Sequence, residues 1–346
     1  MVVIQDIFPT TSLAICMNSL LLSISGKKVL PFLFLFFSLG ITFFMVRYQY
    51  RPHSEEKFQR HEQVLAHSAE NLYNYRVLPV LMTECLRLPI AAVFKVSQNV
   101  SFFFAVVLIS ILVYYVTQWA MFRFFIQTGL DELSAFGGVV LWVIILPYSL
   151  TGWDEIGDIL NLFFFAVIFT HFLEGRIYHS LIPLALSAWN KEQTLLIPVF
   201  YAVGLLYTRN DYKTYVKNIV ILCTTMMIST MLLHLFVGQS EKSTVASSYF
   251  GTDFLYNIHH PEWIVTWILS LGVIIFFAIP SISSAHPFLR YNSLITLPLF
   301  YVVVFFIRAR MREIDKAFIL HLFFIPLAVK TLRYKYFHVM NNNAKD

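Results

Sequence analysis

Charged residues are scarce in this chain: lysine, arginine, aspartate and glutamate together make up only 13% of its 346 residues. Hydrophobic residues make up 58%, which leaves too little polar surface to cover a water-soluble core. The composition therefore predicts an all-α, polytopic integral membrane protein. Its net charge of +5 suits contact with anionic lipid headgroups. Because the aromatic residues sit in apolar runs, no nucleic-acid partner is predicted.

Cysteine is also scarce, and the three residues, Cys16, Cys85 and Cys223, do not have the spacing of a zinc site or a disulfide framework. The sequence signatures of ATP hydrolysis, dinucleotide binding, zinc proteolysis and serine hydrolysis are absent as well. These absences argue against ATP-driven and serine-hydrolase chemistry. No metal site and no cofactor are assigned from the sequence, and a requirement for a divalent metal stays open.

Apolar runs supply about ten predicted transmembrane helices, some of them short. Residues 29–46 form the first clear span, and residues 1–28 before it are either a span or an interfacial helix. Residues 29–346 are predicted to form a single transmembrane domain. Residues 177–189 and 317–329 would each be only about 20 Å long as helices. Helices of this length end inside the bilayer, and membrane enzymes and transporters place polar sites at such helix ends.

The longest polar segment, residues 47–76, must lie outside the bilayer. In the apolar stretch that follows, Glu84, Arg87 and Lys95 fall on one side of a helical wheel, which is typical of an interfacial helix. Residues 47–97 are therefore predicted to be the first extracytoplasmic loop with its interfacial helix. Alternation of the spans places residues 151–155, 190–192 and 308–316 on the same face. The basic loops on the opposite face are predicted to be cytoplasmic.

Polar residues at helical spacing mark the start of one apolar run, because Asp154, Asp158 and Asn161 would project from one face of a helix. Asp154 and Glu155 are equally well explained as N-terminal capping residues, which the helix dipole favours. Capping does not explain Asp158, which lies one turn deeper in a membrane helix, where a carboxylate is costly. The alternatives are a capped helix and an acidic functional site.

Three consecutive polar residues, Asn190, Lys191 and Glu192, interrupt apolar sequence on both sides. A solvated turn between two helices would explain them, but the preceding apolar run is too short to reach full depth alone. A lysine at this depth suits a phosphate oxygen as a point charge. Phosphate binding is therefore the functional alternative to a turn.

Two further clusters have a structural and a functional interpretation. Clustered arginines before a late apolar run match phosphate groups, although arginines at a membrane boundary commonly meet lipid headgroups. In the first polar loop, a glutamate is either a solvated side chain or a general base. The cluster before the late apolar run is Arg308, Arg310, Arg312 and Glu313. The cluster in the first polar loop is Arg60, His61 and Glu62.

In their order along the chain, these motifs resemble the GT-C superfamily of polytopic membrane glycosyltransferases, which take sugars from polyprenyl-phosphate donors. The resemblance covers most of the chain after Lys28, in arrangement more than in identity. It rests on a first span followed by a long acidic loop and on four short motifs. These are YNYRVLP before an amphipathic helix, WDE at a span start, NKEQT between short spans, and RMREIDKAFI before a span containing Pro326.

In that family a carboxylate of the first extracytoplasmic loop acts as general base on the acceptor, and basic residues near the outer surface hold the lipid phosphate. The resemblance implies Glu62 as the base and Asp154 or Glu155 as a second acidic group. The implied phosphate-binding residues are Lys191, Arg310, Arg312 and Arg76. The implied supporting residues are Arg60, His61, Asp158, Asn190, Glu192 and Glu313.

The expected activity is transfer of a sugar from a lipid-linked phosphate donor to an extracytoplasmic glycan, lipid or protein acceptor. The expected location is the bacterial inner membrane, and the expected role is cell-envelope polysaccharide biosynthesis. A flippase or transporter of lipid-linked oligosaccharides would use the same cations without a base. A surface polysaccharide polymerase would depend on the loop arginines more than on Glu62. A structural membrane subunit would scatter the charged loops over both faces.

Overall fold

The computed structural model describes residues 29–69, 76–149, 155–206, 211–237, 258–302 and 318–343. Within these ranges all regular secondary structure is helical, and there is no strand. Two predicted features lie outside the described residues: the N-terminal apolar segment, residues 1–28, and the arginine-rich segment, residues 308–316.

The helices are numbered here in chain order. A π-helical turn at Val46–Tyr50 and a 3-10 turn at Arg51–His53 join α1 to α2, so the chain stays helical as it leaves the first span. The first six helices are α1 (Leu30–Met45), α2 (Ser54–Leu65), α3 (Val77–Phe94), α4 (Gln98–Gln127), α5 (Glu132–Ser149) and α6 (Glu155–Leu173). The next three are α7 (Leu181–Ala188), α8 (Ile197–Leu205) and α9 (Tyr212–Val237). The last four are α10 (Trp263–Trp267), α11 (Val273–Ala278), α12 (Pro287–Tyr291) and α13 (Ile319–Asn343).

The relative directions of α1, α4 and α6 decide which chain segments meet at each end of the bundle. Near the start of α1, Phe34 packs edge-on against Trp119 of α4 at 5.0 Å between ring centroids. Beyond the end of α1, Tyr50 packs near the start of α4 against Phe102, so the two helices are antiparallel. Helix α6 runs in the same direction as α4, because Thr117 of α4 lies beside Ile159 and Phe124 beside Phe169. The end of α1 and the start of α4 therefore lie at one end of the bundle, and α6 begins on that side, beside the middle of α4.

A cluster of phenylalanine rings forms the centre of the hydrophobic core. Phe169 of α6 lies 5.3 Å from Phe200 of α8, 5.1 Å from Phe288 of α12 and 5.6 Å from Phe323 of α13, measured between ring centroids. Phe169 is fully buried. Aromatic pairs in these geometries contribute roughly 0.5–1.5 kcal/mol each beyond their buried area. The cluster therefore holds four helices from distant parts of the sequence around one point.

Buried amide side chains connect helices inside the apolar interior. The Gln118 side chain of α4 donates to Ser38 Oγ at 2.8 Å and to the Phe34 carbonyl at 3.3 Å, both on α1. The Asn292 side chain after α12 donates to the Phe200 carbonyl of α8 at 3.1 Å. Such bonds fix the register of neighbouring helices, because an amide moved away from its partner would be left unsatisfied.

Six helices in the described part of the chain are long and apolar enough to cross a membrane. They cover Leu30–Tyr48, Val77–Phe94, Gln98–Gln127, Ile156–Leu173, Tyr212–Val237 and Trp263–Ser281. The prediction of an all-helical membrane protein agrees with this architecture. Shorter apolar helices occur at Glu132–Pro147, Ile177–Ala188 and Gln193–Leu205. The predicted total of about ten spans stays a prediction.

The two runs that the sequence predicts to be short differ in the structure. Residues 177–189 form a 3-10 turn followed by the eight-residue α7, so this run is short, as predicted. Residues 317–329 instead contain the first part of the 25-residue α13, which is about 37 Å long. This helix is not one of the six candidate spans, so the prediction that its apolar run is too short to cross alone stays a prediction. The helix continues because its basic residues find partners: Lys330 Nζ donates to the Ser284 carbonyl at 2.6 Å, and Arg333 pairs with Asp131.

Helix α3 turns its polar side toward the protein. Arg87 and Thr83 are buried, whereas Leu88, Val93 and Phe94 are exposed. The polar residues contact α2, and the apolar side faces outward, where it would contact lipid. The predicted polar side is therefore present at Glu84 and Arg87, whereas Lys95 is exposed and lies just beyond the end of the helix. Its hydropathy also makes α3 one of the six candidate spans, so its placement at the interface stays a prediction.

Candidate functional site

A cavity of about 130 Å³ lies at the end of the bundle where α1 ends and α4 and α6 begin. At about 30 Å³ per molecule, this volume has room for roughly four waters, which is comparable in size to one phosphate group. The apolar part of its wall includes Met45, Val64, Pro79, Phe102, Val106 and Ile156. The polar part includes Tyr50, Lys57, Arg60, His61, Arg76, Thr83, Ser110 and Asn190. We call it the basic cavity.

The charged residues that line the basic cavity are all cations. Lys57 and Arg60 come from α2, and Arg76 lies directly before α3. Among the described residues no carboxylate lines the cavity. Lys57 Nζ lies 5.5 Å from the centroid of the Tyr50 ring. Burial raises the pKa of Tyr50 to about 12, so the phenol adds no negative charge at neutral pH. The cavity therefore favours an anionic ligand.

Local sequence explains how α2 reaches the cavity. The two-turn connection after α1 contains Pro52, which fits the first turn of a helix but removes a backbone donor. Helix α2 then starts with Glu55 and Glu56 in its first turn, where the helix dipole favours carboxylates. Residues with a spacing of three or four lie on one helix face, so Lys57, His61 and Val64 all line the cavity.

The polar NKEQ stretch forms a break between two short helices. Helix α7 ends at Ala188, and the backbone amides of Asn190 and Lys191 both donate to the Ser187 carbonyl, at 3.0 and 3.2 Å. Lys191 is extended, and its carbonyl accepts a bond from Thr194 Oγ1 at 2.7 Å. The Trp189 carbonyl accepts from the backbone amide of Leu78 at 3.1 Å. This last bond ties the break to the start of α3, beside Arg76.

The break is joined to the start of α6 by polar side chains. The Asn190 side chain donates to the Gly157 carbonyl at 2.8 Å, and both residues line the basic cavity. Lys191 and Asp158, each only 2% exposed, form a buried ion pair. A carbon added at Gly157 would lie 3.6 Å from Lys191 Cε, so this pair lies directly beside the cavity wall. In the next turn, the Asn161 side chain donates to Gln193 Oε1 at 2.8 Å.

Helices α2 and α3 are linked by a second charged network. His61 Nε2 lies 2.6 Å from Glu84 Oε1. Arg87 binds both oxygens of Glu84, at 2.5 Å through Nε and 2.9 Å through Nη2. Arg87 Nη2 also lies 3.7 Å from Glu62 Oε1. Burial lowers the pKa of His61, and the hydrogen bond and charge of Glu84 offset only part of this effect. The imidazole is therefore favoured in its neutral form.

The structure brings together several residues that the sequence assigns to one site. Arg60, His61, Arg76 and Asn190 line the same cavity. Asp158 and Lys191 lie beside its wall as an ion pair, so the lysine charge is balanced there. Glu62, the predicted base, is not part of the cavity wall; its side chain is 45% exposed and faces Arg87.

Other predicted site residues lie outside the described residues. Asp154 belongs to the segment before α6, and the side chains of Glu155 and Glu192 are likewise not described, although their backbones begin α6 and a 3-10 turn. The late arginine cluster is not described either; its members are Arg310, Arg312 and Glu313.

Sequence reasoning assigned no site role to Lys57, Tyr50, Glu84 or Arg87. For Lys57 the signal was its spacing of four from His61 on one face of α2. Glu84 and Arg87 carried a weaker signal, because their pattern on the helical wheel indicated a polar side without showing what it faces. Within the described ranges, no group of three histidine, cysteine or acidic residues is placed to hold a metal ion.

No family model, no curated protein and no solved structure matches the chain.

Proposed function

We propose that this protein is a membrane glycosyltransferase that takes a sugar from a polyprenyl-phosphate donor and transfers it to an extracytoplasmic acceptor. The observation that carries the proposal is the basic cavity, where Lys57, Arg60 and Arg76 meet Asn190 at one end of a bundle of membrane helices. The resemblance of the motifs in this chain to the GT-C superfamily points to the same substrate class.

The shape and composition of the cavity suit a phosphate that is attached to a lipid. Lysine and arginine bind phosphate oxygens through charge-assisted hydrogen bonds. The wall beside these cations is apolar, with Phe102, Val106 and Ile156, and an isoprenoid chain would be desolvated against such a surface. A soluble sugar nucleotide carries phosphate as well, but it has no isoprenoid chain to place against the apolar wall.

In the proposed reaction, the bond between the anomeric carbon and the phosphate oxygen breaks, and negative charge grows on the departing phosphate. Cations already fixed around that phosphate stabilise the charge without reorganising. The acceptor hydroxyl must lose a proton to a base. From the sequence, the candidate for this base is Glu62, which follows His61 on α2. The acceptor class and a bacterial inner-membrane location belong to the same proposal.

A transfer assay tests the proposal. The full chain is reconstituted in vesicles with undecaprenyl phosphate carrying a radiolabelled hexose, using a panel of hexoses and a glycan extract as acceptor. We expect labelled product from wild type and at least about a tenfold lower rate for Arg76→Ala, since a charged hydrogen bond contributes roughly 1.5–3 kcal/mol.

Arg47→Ala is the matched control, because Arg47 is exposed in the connection after α1 and does not line the cavity. Movement of the labelled lipid across the vesicle membrane without any new glycosidic bond would reject the transferase and favour a flippase. Equal rates in wild type and Arg76→Ala would remove the basic cavity from the reaction.

A further inference from the structure

His61 is a titratable side chain in the wall of the basic cavity. It lines the basic cavity together with Arg60 and Arg76, and its side chain is 5% exposed. Glu62 is its neighbour in sequence but is not part of the cavity wall, and its carboxylate faces Arg87 at 3.7 Å. The residues of α2 in the wall are Lys57, Arg60, His61 and Val64, so of the two candidates it is His61 that faces a ligand in the cavity.

Glu84 determines which nitrogen of His61 carries the proton. The glutamate is held by Arg87 through both oxygens, at 2.5 and 2.9 Å, so it is a carboxylate and accepts hydrogen bonds. Nε2 of His61, 2.6 Å away, must donate to it. In a neutral imidazole the proton on Nε2 leaves Nδ1 with a lone pair. Nδ1 is therefore the ring nitrogen that can accept a proton.

The ring is also fixed in orientation. Its centroid lies 4.7 Å from that of Phe102, which packs against it from α4. A carboxylate that orients a histidine and stabilises its charged form is a general device of proton-transfer sites. Here Glu84 has that relation to His61, and Arg87 fixes Glu84 in turn.

We infer that His61, and not Glu62, is the general base of the transfer, with Glu84 and Arg87 as positioning residues. This inference rests on the proposed function. The acceptor oxygen forms a bond to the anomeric carbon as the bond from that carbon to the phosphate oxygen breaks. The electron pair of the broken bond stays on the lipid phosphate. The acceptor proton moves to His61 Nδ1 and is released to water after the product leaves.

The charges around His61 set the sign of its pH dependence. Glu84 from α3 and Glu62 from α2 favour the protonated ring, whereas Arg87 from α3 and burial oppose it. Lys57, Arg60 and Arg76 are the other charged residues in the wall of the same cavity. A base must be unprotonated to act, so the transfer rate falls as the pH drops through the His61 pKa. Glu84→Gln removes a negative charge, so the acid limb of the profile moves to lower pH.

The test compares His61→Ala, Glu62→Gln and Glu84→Gln in the vesicle assay, each with a full pH–rate profile. We expect His61→Ala to lower kcat at least about 100-fold and added imidazole to restore part of the rate. Glu62→Gln distinguishes the two candidates, because it should cost far less rate than His61→Ala if His61 is the base. Glu84→Gln should move the acid limb downward, a result that a purely structural role would not produce.

The possible failures separate the inference from the proposed function. A wild-type protein that forms no product with any hexose donor contradicts the proposed function itself. An active wild type whose His61→Ala variant keeps its rate, or whose Glu62→Gln variant loses it, overturns the assignment of His61 alone. If His61→Ala does not fold, the pH–rate profile of Glu84→Gln decides: an unchanged acid limb also overturns the assignment.

Discussion

The side-chain amide of Asn190 donates a hydrogen bond to the backbone carbonyl of Gly157, 2.8 Å away. This bond joins the break after α7 to the start of α6, at the wall of the basic cavity. Because the break is also tied to α3 through the Trp189 carbonyl and the Leu78 amide, three separate chain segments are held at one point. The geometry of the cavity depends on that junction.

Asn190→Leu removes the donor and should lower the free energy of unfolding by about 1 kcal/mol, the typical contribution of one such hydrogen bond. The change is measured by titrating the purified protein in a mild detergent with a denaturing detergent and following its unfolding. Gln98→Leu is the control, because Gln98 is exposed at the start of α4. Equal stability of Asn190→Leu and wild type would show that the junction does not need this bond.

The buried pair of Lys191 and Asp158 gives a prediction about mutual dependence. Lys191→Met should destabilise the fold by about 3–5 kcal/mol, because it leaves a carboxylate buried without its partner. Lys191→Met combined with Asp158→Leu should recover most of that loss, because no uncompensated charge remains. The same unfolding assay measures both variants.

The double variant also separates two roles of the lysine. If it is stable and transfers sugar at the wild-type rate, Lys191 is structural; if it is stable but inactive, the sequence-based assignment of Lys191 to phosphate binding gains support. A single variant as stable as wild type would contradict the buried pair.

Gly204 lies where α8 packs against the segment around α12. A Cβ there would come within 2.4 Å of Asn292 Nδ2 and 2.5 Å of Phe288 Cδ2. Gly204→Ala should therefore destabilise the protein by about 1–3 kcal/mol through overpacking. Gly137→Ala is the matched control, because a Cβ at that position in α5 meets nothing within 4 Å. The control should be neutral or stabilising by up to about 1 kcal/mol, and a cost at Gly137 equal to that at Gly204 would contradict the packing.

The lowered pKa of His61 links stability to pH. Burial is its largest cause, so the folded state binds fewer protons than the unfolded state below the ordinary histidine pKa of about 6.5. The stabilising contribution is therefore present above that value and is lost as the pH falls through the folded-state pKa. Thermal unfolding between about pH 8 and about pH 5 should show a larger loss for wild type than for His61→Gln, because glutamine does not titrate. Parallel curves for the two proteins would contradict a buried neutral His61.

The pattern of apolar runs was enough to predict helices in a membrane and the short helix before Asn190, because length and hydropathy are local properties. It did not show that the helix beginning in residues 317–329 continues past Lys330 and Arg333, because their partners lie in distant segments, at Ser284 and Asp131. A charged residue whose partner is far away in the sequence is easily mistaken for the end of a helix.

The candidate site was predictable only as a set of polar segments. Arg76 and Asn190 carried a local signal, because each interrupts or borders apolar sequence. Glu84 binds His61 across 23 positions of sequence, and nothing local shows that the polar side of α3 faces α2. The choice between His61 and Glu62 is likewise a matter of helix rotation, which only packing determines.

The central claim is that the basic cavity binds a lipid-attached phosphate, and binding of farnesyl phosphate compared with farnesol tests it most directly. The two probes differ only in the phosphate, so their relative affinity for the purified protein in detergent isolates the charge. We predict that farnesyl phosphate binds wild type and Arg47→Ala at least about tenfold more tightly than farnesol does, and that Arg76→Ala loses this preference. Equal affinity of wild type for the two probes, or an unchanged preference in Arg76→Ala, would contradict the claim.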